Sequence, residues 1–335
     1  MSGRANAGAP GGATNRGTVL VTPRSLSKAG HPALAMLEDA GFALRFGPPG
    51  EMPSEDDLRS LLPGCVGYLA GVEPIGAELI AACPELRVIS RNGVGVDAVD
   101  LDAARRHGIE VLTSPGANSQ GVAELAIGLM FAAARMIPAA DASLKAGRWS
   151  RSRGVELVGR TLGVVGCGAI GMRVLASGAA LGMEATGYDP FAREAVEAAG
   201  HTWLSLDALV GRAEVISLHA PPGERPLLDE AMLRRVRPGL IVVNTARAAL
   251  VETDAMLAAL DDGRVAAYAT DAYAEEPPVD RRLVEHPHVI ATPHVGGYTE
   301  ESVERATRAA VENLLAALAS RAAAPAVGHG AGGNA

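Results

Sequence analysis

Residues 161–171 read Thr-Leu-Gly-Val-Val-Gly166-Cys167-Gly168-Ala169-Ile170-Gly171, an apolar run that ends in glycines spaced G-x-G-x-x-G. In a chain with 40 glycines the spacing alone is weak evidence. Its surroundings give it weight. A strand-like run, TLGVVG, leads into Gly166, and a helix-compatible run (170–181) begins inside the motif. In that setting Gly166 permits a tight turn and Gly168 lets the backbone approach a pyrophosphate. Gly171 lets helix and strand pack closely, and the helix start, with Ala169 and Ile170, offers N–H groups to phosphates. The next strand candidate, EATGYD (184–189), ends on Asp189. That is about 20 residues on, where an acid binds the ribose diol. A carboxylate there repels a 2′-phosphate, so the predicted cofactor is NAD rather than NADP, with Arg193 as a nearby cation that works against the exclusion.

Outward from this stretch the chain alternates strand and helix. Before it come TVLVT (18–22), a helical segment 31–40, FALRF (42–46), a helix capped by Ser54, CVGYLA (65–70), a helix from about Ile75, VIS (88–90), a helix 100–107 and EVLT (110–113). After it come EATGYD, EVISLH (214–219), GLIVVN (239–244), AAYATD (266–271) and VIATP (289–293), which complete a set of six strands. Such alternation predicts parallel sheets covered on both faces. A length of 335 residues suits two domains. The segment 120–137 is apolar on nearly all sides and predicts a helix buried in a core or subunit interface, stopped by Pro138. The polar stretch 142–149 after it reads as an exposed arm.

Composition narrows the function. Only Lys28 and Lys145 among the 30 basic residues are lysines, and the net charge is −8. An acidic chain argues against a nucleic-acid partner. Cys65, Cys83 and Cys167 have no metal-type spacing, so no metal is expected, and they suit a reducing cytoplasm. No apolar run reaches the ~20 residues of a membrane span, and no signal-like segment opens the sequence. The small-residue stretches 1–17 and 322–335 read as disordered tails.

Three motifs follow ends of the second set of strands, where an open α/β sheet places its ligands. They are NTAR (244–247), DAYAEEP (271–277) and TPHVGG (292–297). An Arg, a Glu and a His beside a nicotinamide suit reversible hydride transfer to a 2-keto acid. His294 would donate the proton to the carbonyl oxygen. Glu276, with Glu275 as a competitor, would orient the imidazole and favour its charged form. Arg247 would polarise the carbonyl and pair with the substrate carboxylate. His219, Ala220 and Pro221 follow the third strand and shape the cofactor cleft, as do Thr245 and Ala246.

The glycine motif, Asp189, LHAPP (218–222), NTAR, DAYAEEP and TPHVGG together resemble the D-isomer-specific 2-hydroxyacid dehydrogenase family over residues 18–320. TPRS (22–25), RNGVGVDAVD (91–100) and NSQGVAE (118–124) are similar to its phosphoglycerate dehydrogenase-like branch. The resemblance implies that Arg247, Glu276 and His294 are the catalytic three. It implies that the loop holding Asn92, Gly93, Val94 and Gly95 binds the substrate carboxylate through backbone N–H groups. It further implies that Asp271 meets the nicotinamide amide and that the 120–137 region builds a homodimer. The implied fold has a Rossmann-type NAD-binding domain (116–296) inserted into a flavodoxin-like substrate domain (18–115 with 297–321). A short form, without a regulatory domain, is expected. The sequence departs from the family after Arg247, in the stretch 223–230, and at AGVEP (70–74), where a phosphate-binding Arg is usual. Substrates implied are 3-phosphoglycerate, hydroxypyruvate, glyoxylate or a phosphonopyruvate-like acid. An NAD(H)-sensing co-repressor-like protein and a formate- or phosphite-type dehydrogenase are the alternatives. Trp149 and Tyr298 are read as aromatic walls around the substrate.

Overall fold

The structure is a computed structural model that describes residues 16–323. The predicted tails therefore fall mostly outside the described residues. Within them, the chain divides into two compact units, one running up to Ala117 and resuming at Glu304, the other Asn118–Val303. The second crossing falls inside the helix Glu300–Ala323 rather than in the loop before it.

The first unit is built on five parallel strands: β1 Thr18–Val21, β2 Ala43–Phe46, β3 Cys65–Ala70, β4 Val88–Arg91 and β5 Glu110–Leu112, in the order β2-β1-β3-β4-β5. That is the flavodoxin-like order. Local signals start its helices where the sequence places them. Ser54 and Asp57 form a reciprocal capping box for Glu55–Leu61, and Asp100 caps Leu101–Arg106. The helix Arg24–Ala29 is an addition, and the run 31–40 is a 3-10 turn, Pro32–Leu34, followed by Ala35–Asp39. One face of the sheet is closed in part by the far end of the chain. Ala310, Val311, Leu314, Ala317 and Leu318 pack on Val19, Val21, Leu69 and Val88. Ser90 Oγ donates to the Ala310 carbonyl (2.8 Å) and Asn313 Nδ2 to that of Thr113 (2.8 Å), which fixes the helix's register on the sheet.

The second unit carries seven parallel strands, not six: β6 Thr161–Val165, β7 Glu184–Tyr188, β8 Thr202–Trp203, β9 Val215–Leu218, β10 Leu240–Asn244, β11 Val265–Thr270 and β12 Val289–Ala291. Their order, β12-β11-β10-β9-β6-β7-β8, is the Rossmann order with one strand added at the edge, so the sheet reverses between β6 and β9. The predicted fold class, two doubly wound parallel sheets of flavodoxin-like and Rossmann type, is the observed one. The helix Ser119–Arg135 buries Ala123, Ala126, Leu129, Met130 and Ala133 against Leu162, Val164 and Val243. Pro138 does not stop it. Met136 does, in the left-handed conformation (φ 53°), and Pro138 sits in the first turn of a second helix, Ile137–Lys145. There a missing N–H breaks no hydrogen bond. The two helices meet at 63°, and among the described residues no single helix is long and apolar enough to cross a membrane. The predicted arm is therefore helical through Lys145.

Candidate active site

The glycine turn is held by contacts that only glycine allows. Gly166 leaves β6 at φ +90°, and a Cβ there would stand 2.5 Å from the backbone of His219 and Ala220. A Cβ on Gly171 would stand 1.9 Å from the Gly166 carbonyl oxygen. Gly168 differs: a Cβ would meet nothing within 4 Å, so this position faces open space. The helix Gly171–Ala180 follows, and no side chain caps its N-terminus. Backbone donors and the positive end of the helix dipole thus line an opening with no side chain in it, which fits a pyrophosphate.

Asp189, just past β7, is fixed at the rim of this turn. Its Oδ2 accepts from the Cys167 N–H (3.0 Å) and its Oδ1 from the Phe191 N–H (2.8 Å). Each oxygen keeps acceptor capacity for ribose hydroxyls. Arg193 lies 4.9 Å over the Trp203 ring and donates to Glu197 (3.0 Å), so the nearby cation is engaged away from the carboxylate. The residues present fit NAD.

Beyond β9, the His219 ring nitrogens meet Ser217 Oγ (2.8 Å) and Thr245 Oγ1 (3.5 Å). Burial pulls the His219 pKa down to about 3, so its imidazole is neutral at physiological pH and serves as a strut between β9 and β10 rather than an acid. Beyond β10, the buried Asn244 folds the NTAR turn: its Oδ1 accepts from the Ala246 N–H (3.1 Å) and its Nδ2 donates to the Arg247 carbonyl (2.9 Å). The part-buried Arg247 adds a bond from Nη1 to the Ala246 carbonyl (2.8 Å).

His294 adopts φ +51°, a conformation that non-glycine residues rarely take. Asp271 supports it. This carboxylate, 2% exposed, accepts from Thr292 Oγ1 (2.6 Å) and the N–H groups of Val295 (2.8 Å) and Gly296 (2.7 Å), so its two oxygens grip the loop on both sides of His294. Tyr273 OH adds a bond to the Thr292 carbonyl (2.7 Å). Sequence reasoning did not single out Thr292, Gly296 or Asn244.

Of the two candidate carboxylates, Glu276 meets the histidine: Oε1 lies 2.5 Å from Nδ1. That bond raises the His294 pKa above its ordinary value. Burial opposes it, the charges of Glu276 and Asp271 add to it, and the nearby Arg247 works against it. With Nδ1 committed, Nε2 is the ring nitrogen left to a ligand, and the His294 side chain is 49% exposed. Trp149 and Tyr298 are 84% and 69% exposed.

In the first unit, the loop after β4 is shaped from within. Asn92 N–H donates to the Ala70 carbonyl (2.9 Å), Ser114 N–H to that of Gly93 (2.8 Å) and Arg91 Nε to that of Gly95 (3.0 Å). Val94 is exposed at its tip.

The family model described as D-isomer specific 2-hydroxyacid dehydrogenase, NAD binding domain, matches residues 127–296. The chain is 41% identical over 286 residues to D-3-phosphoglycerate dehydrogenase of Mycobacterium bovis, covering 84% of this chain and 54% of that protein. It thus spans about half the length of the curated relatives it matches. A solved structure from Thermus thermophilus superposes with a TM-score of 0.80 at 34% identity, covering 90% of this chain and 97% of the other. A glyoxylate reductase from Paecilomyes thermophila superposes at 0.77 with 28% identity, covering 90% and 94%.

Proposed function

The chain belongs to the D-isomer-specific 2-hydroxyacid dehydrogenase family, with an NAD-binding domain of that family in its second unit, and from this we propose that it interconverts a small D-2-hydroxy acid and its 2-keto acid. The observation that carries the proposal is the His294–Glu276 pair, gripped by Asp271 and close enough to Arg247 to feel its charge. Bound NAD supplies the hydride acceptor, and its reduced form the donor. Gly166, Gly168, Ala169, Ile170 and Gly171 would cradle its pyrophosphate and Asp189 its ribose. His219, Ala220, Pro221, Thr245, Ala246 and Asp271 would line the rest of the cleft.

The protein's own chemistry is a proton transfer matched to that hydride. His294 Nε2 gives its proton to the carbonyl oxygen in reduction and takes it back from the hydroxyl in oxidation. Glu276 stabilises the imidazolium and fixes which nitrogen faces the substrate. Arg247 draws electron density from the carbonyl and pairs with the carboxylate. Backbone N–H groups of the Asn92–Gly95 loop are assigned to the carboxylate as well. A panel of 2-keto acids with NADH and NADPH tests the reading: glyoxylate, hydroxypyruvate and 3-phosphohydroxypyruvate bracket the candidates. Turnover with NADH on at least one supports it. Tight NADH binding without turnover on any would leave a nucleotide-sensing protein instead.

Reduction needs His294 protonated, so its rate falls as pH rises through the His294 pKa. Because the bond to Glu276 is the largest cause of the raised value, Glu276→Gln moves that fall to lower pH. An unchanged kcat–pH profile in the variant contradicts the pairing.

We also infer a homodimer through the 120–137 region and the segment after it. Phe131, Ile137, Leu144, Trp149 and Val158 all expose apolar surface there, from 37% to 84%. Light scattering at twice the chain mass is the expected result, and Leu144→Asp with Trp149→Asp should halve it. With all three cysteines free and buried, a reducing cytoplasm is the assigned compartment.

A further inference from the structure

The first sheet reverses direction between β1 and β3, and in open α/β sheets the crevice outside the strand ends at that point receives ligands. Here that strand end holds a buried carboxylate of the chain itself. Glu73, 1% exposed, follows β3, and its Oε1 accepts from Tyr68 OH (2.6 Å), the Gly71 N–H (2.9 Å) and, closest of all, Thr22 Oγ1. Thr22 lies just past β1, Tyr68 within β3, and both are fully buried. Arg91, at the end of β4 and 5% exposed, adds its positive charge. Its Nε is used on Gly95, while its Nη1 is buried and has no acceptor among the described residues.

One backbone N–H and two hydroxyls converge on a single carboxylate with the Arg91 charge nearby, the kind of donor set that holds an oxyanion. The fit is tight: a Cβ on Gly71 would stand 2.6 Å from Glu73 Oε2. We propose that Glu73 occupies this oxyanion position permanently and thereby restricts the enzyme to 2-keto acids without a second anionic group at C3. The inference rests on the function proposed above, in which the loop after β4 holds the substrate carboxylate.

The geometry links the two positions. β3 and β4 are paired, and paired strands run ~4.8 Å apart, the span of a few carbon–carbon bonds. A substrate anchored beyond β4 with its C3 end toward β3 would bring that substituent to the end of β3. A phosphate arriving there meets a buried carboxylate that already holds both hydroxyls and the Gly71 N–H, in a low-dielectric setting where like charges repel strongly. A hydrogen or hydroxyl at C3 meets no such penalty. This separates the chain from the phosphoglycerate dehydrogenases it resembles.

The test uses the full chain with NADH and compares kcat/KM for hydroxypyruvate and 3-phosphohydroxypyruvate. The wild type should favour hydroxypyruvate by about tenfold or more. Glu73→Gln keeps an acceptor oxygen and the shape but removes the charge, and should shift the ratio toward the phosphorylated acid by about tenfold. Glu73→Asp, which keeps the charge, should preserve the preference and serves if the first variant unfolds. A wild-type preference for the phosphorylated acid, or an unchanged ratio in Glu73→Gln, overturns the proposal. Calorimetry with inorganic phosphate reads the same point without catalysis. The wild type should bind it no tighter than about 10 mM, and Glu73→Gln should bind it measurably more tightly. If neither acid is reduced, the dehydrogenase reading fails, while the phosphate titrations still decide whether Glu73 blocks an anion.

Discussion

His294→Ala is expected to lower kcat for 2-keto acid reduction by about 10²–10⁴-fold while leaving the Kd for NADH nearly unchanged. The magnitude is that of a positioned general acid. The selectivity follows from the structure: His294 stands on a loop held by Asp271 through Thr292 Oγ1 and the N–H groups of Val295 and Gly296, none of which uses the imidazole. Deleting the ring therefore removes the proton donor and leaves its platform standing. Stopped-flow reduction together with NADH fluorescence titration would measure both quantities. A loss below about tenfold would remove His294 from the chemistry. A parallel loss of NADH affinity would instead make it a cofactor contact.

A second large effect is expected from Gly171→Ala. The new methyl would be built 1.9 Å from the Gly166 carbonyl oxygen, a rigid backbone atom. Either the helix Gly171–Ala180 moves away from β6 or the turn opens. Overpacking typically costs about 1–3 kcal/mol, and a backbone clash belongs at the upper end of that range. NADH binding should become undetectable, because the helix end that faces the phosphates is displaced. Gly168→Ala is the informative partner. Its methyl meets no protein atom within 4 Å, so urea unfolding should be unaltered while NADH binding weakens. If both variants unfold alike, or Gly168→Ala binds NADH normally, the glycine turn is not the pyrophosphate cradle.

The strand ends were legible because the motifs lie where apolar β-branched runs stop. NTAR follows β10 and TPHVGG follows β12, and sequence order alone placed them at the same end of one parallel sheet. What escaped was whatever depended on contacts across strands. β8 is two residues long, too short for any alternation to register. The break at Met136 needed the knowledge that the chain turns there, since a proline two residues later is equally compatible with stopping one helix or starting another. Glu275 and Glu276 cannot be distinguished by spacing. The bond to His294 distinguishes them. Asp271 shows the same limit from another side: the resemblance pointed to a ligand contact, whereas its visible work is to hold a backbone loop. Glu73 was noticed only as a departure from a family pattern, because burial and the convergence of three donors are properties of the folded chain.

The split of the first unit has a consequence for how the protein is made. Val19, Val21, Leu69 and Val88 emerge from the ribosome early, yet the residues that cover them, Ala310 to Leu318, lie beyond the whole of Asn118–Val303. At ~5–20 residues per second, that intervening stretch takes roughly 10–40 s to translate. For that interval one face of the parallel sheet lacks the part of its cover that Ala310 to Leu318 supply, and only at its end does the inserted unit have every strand it needs to fold. Nascent chains stalled before residue 304 should therefore hold a protease-resistant second unit joined to a first unit that is still cleavable and dependent on chaperones.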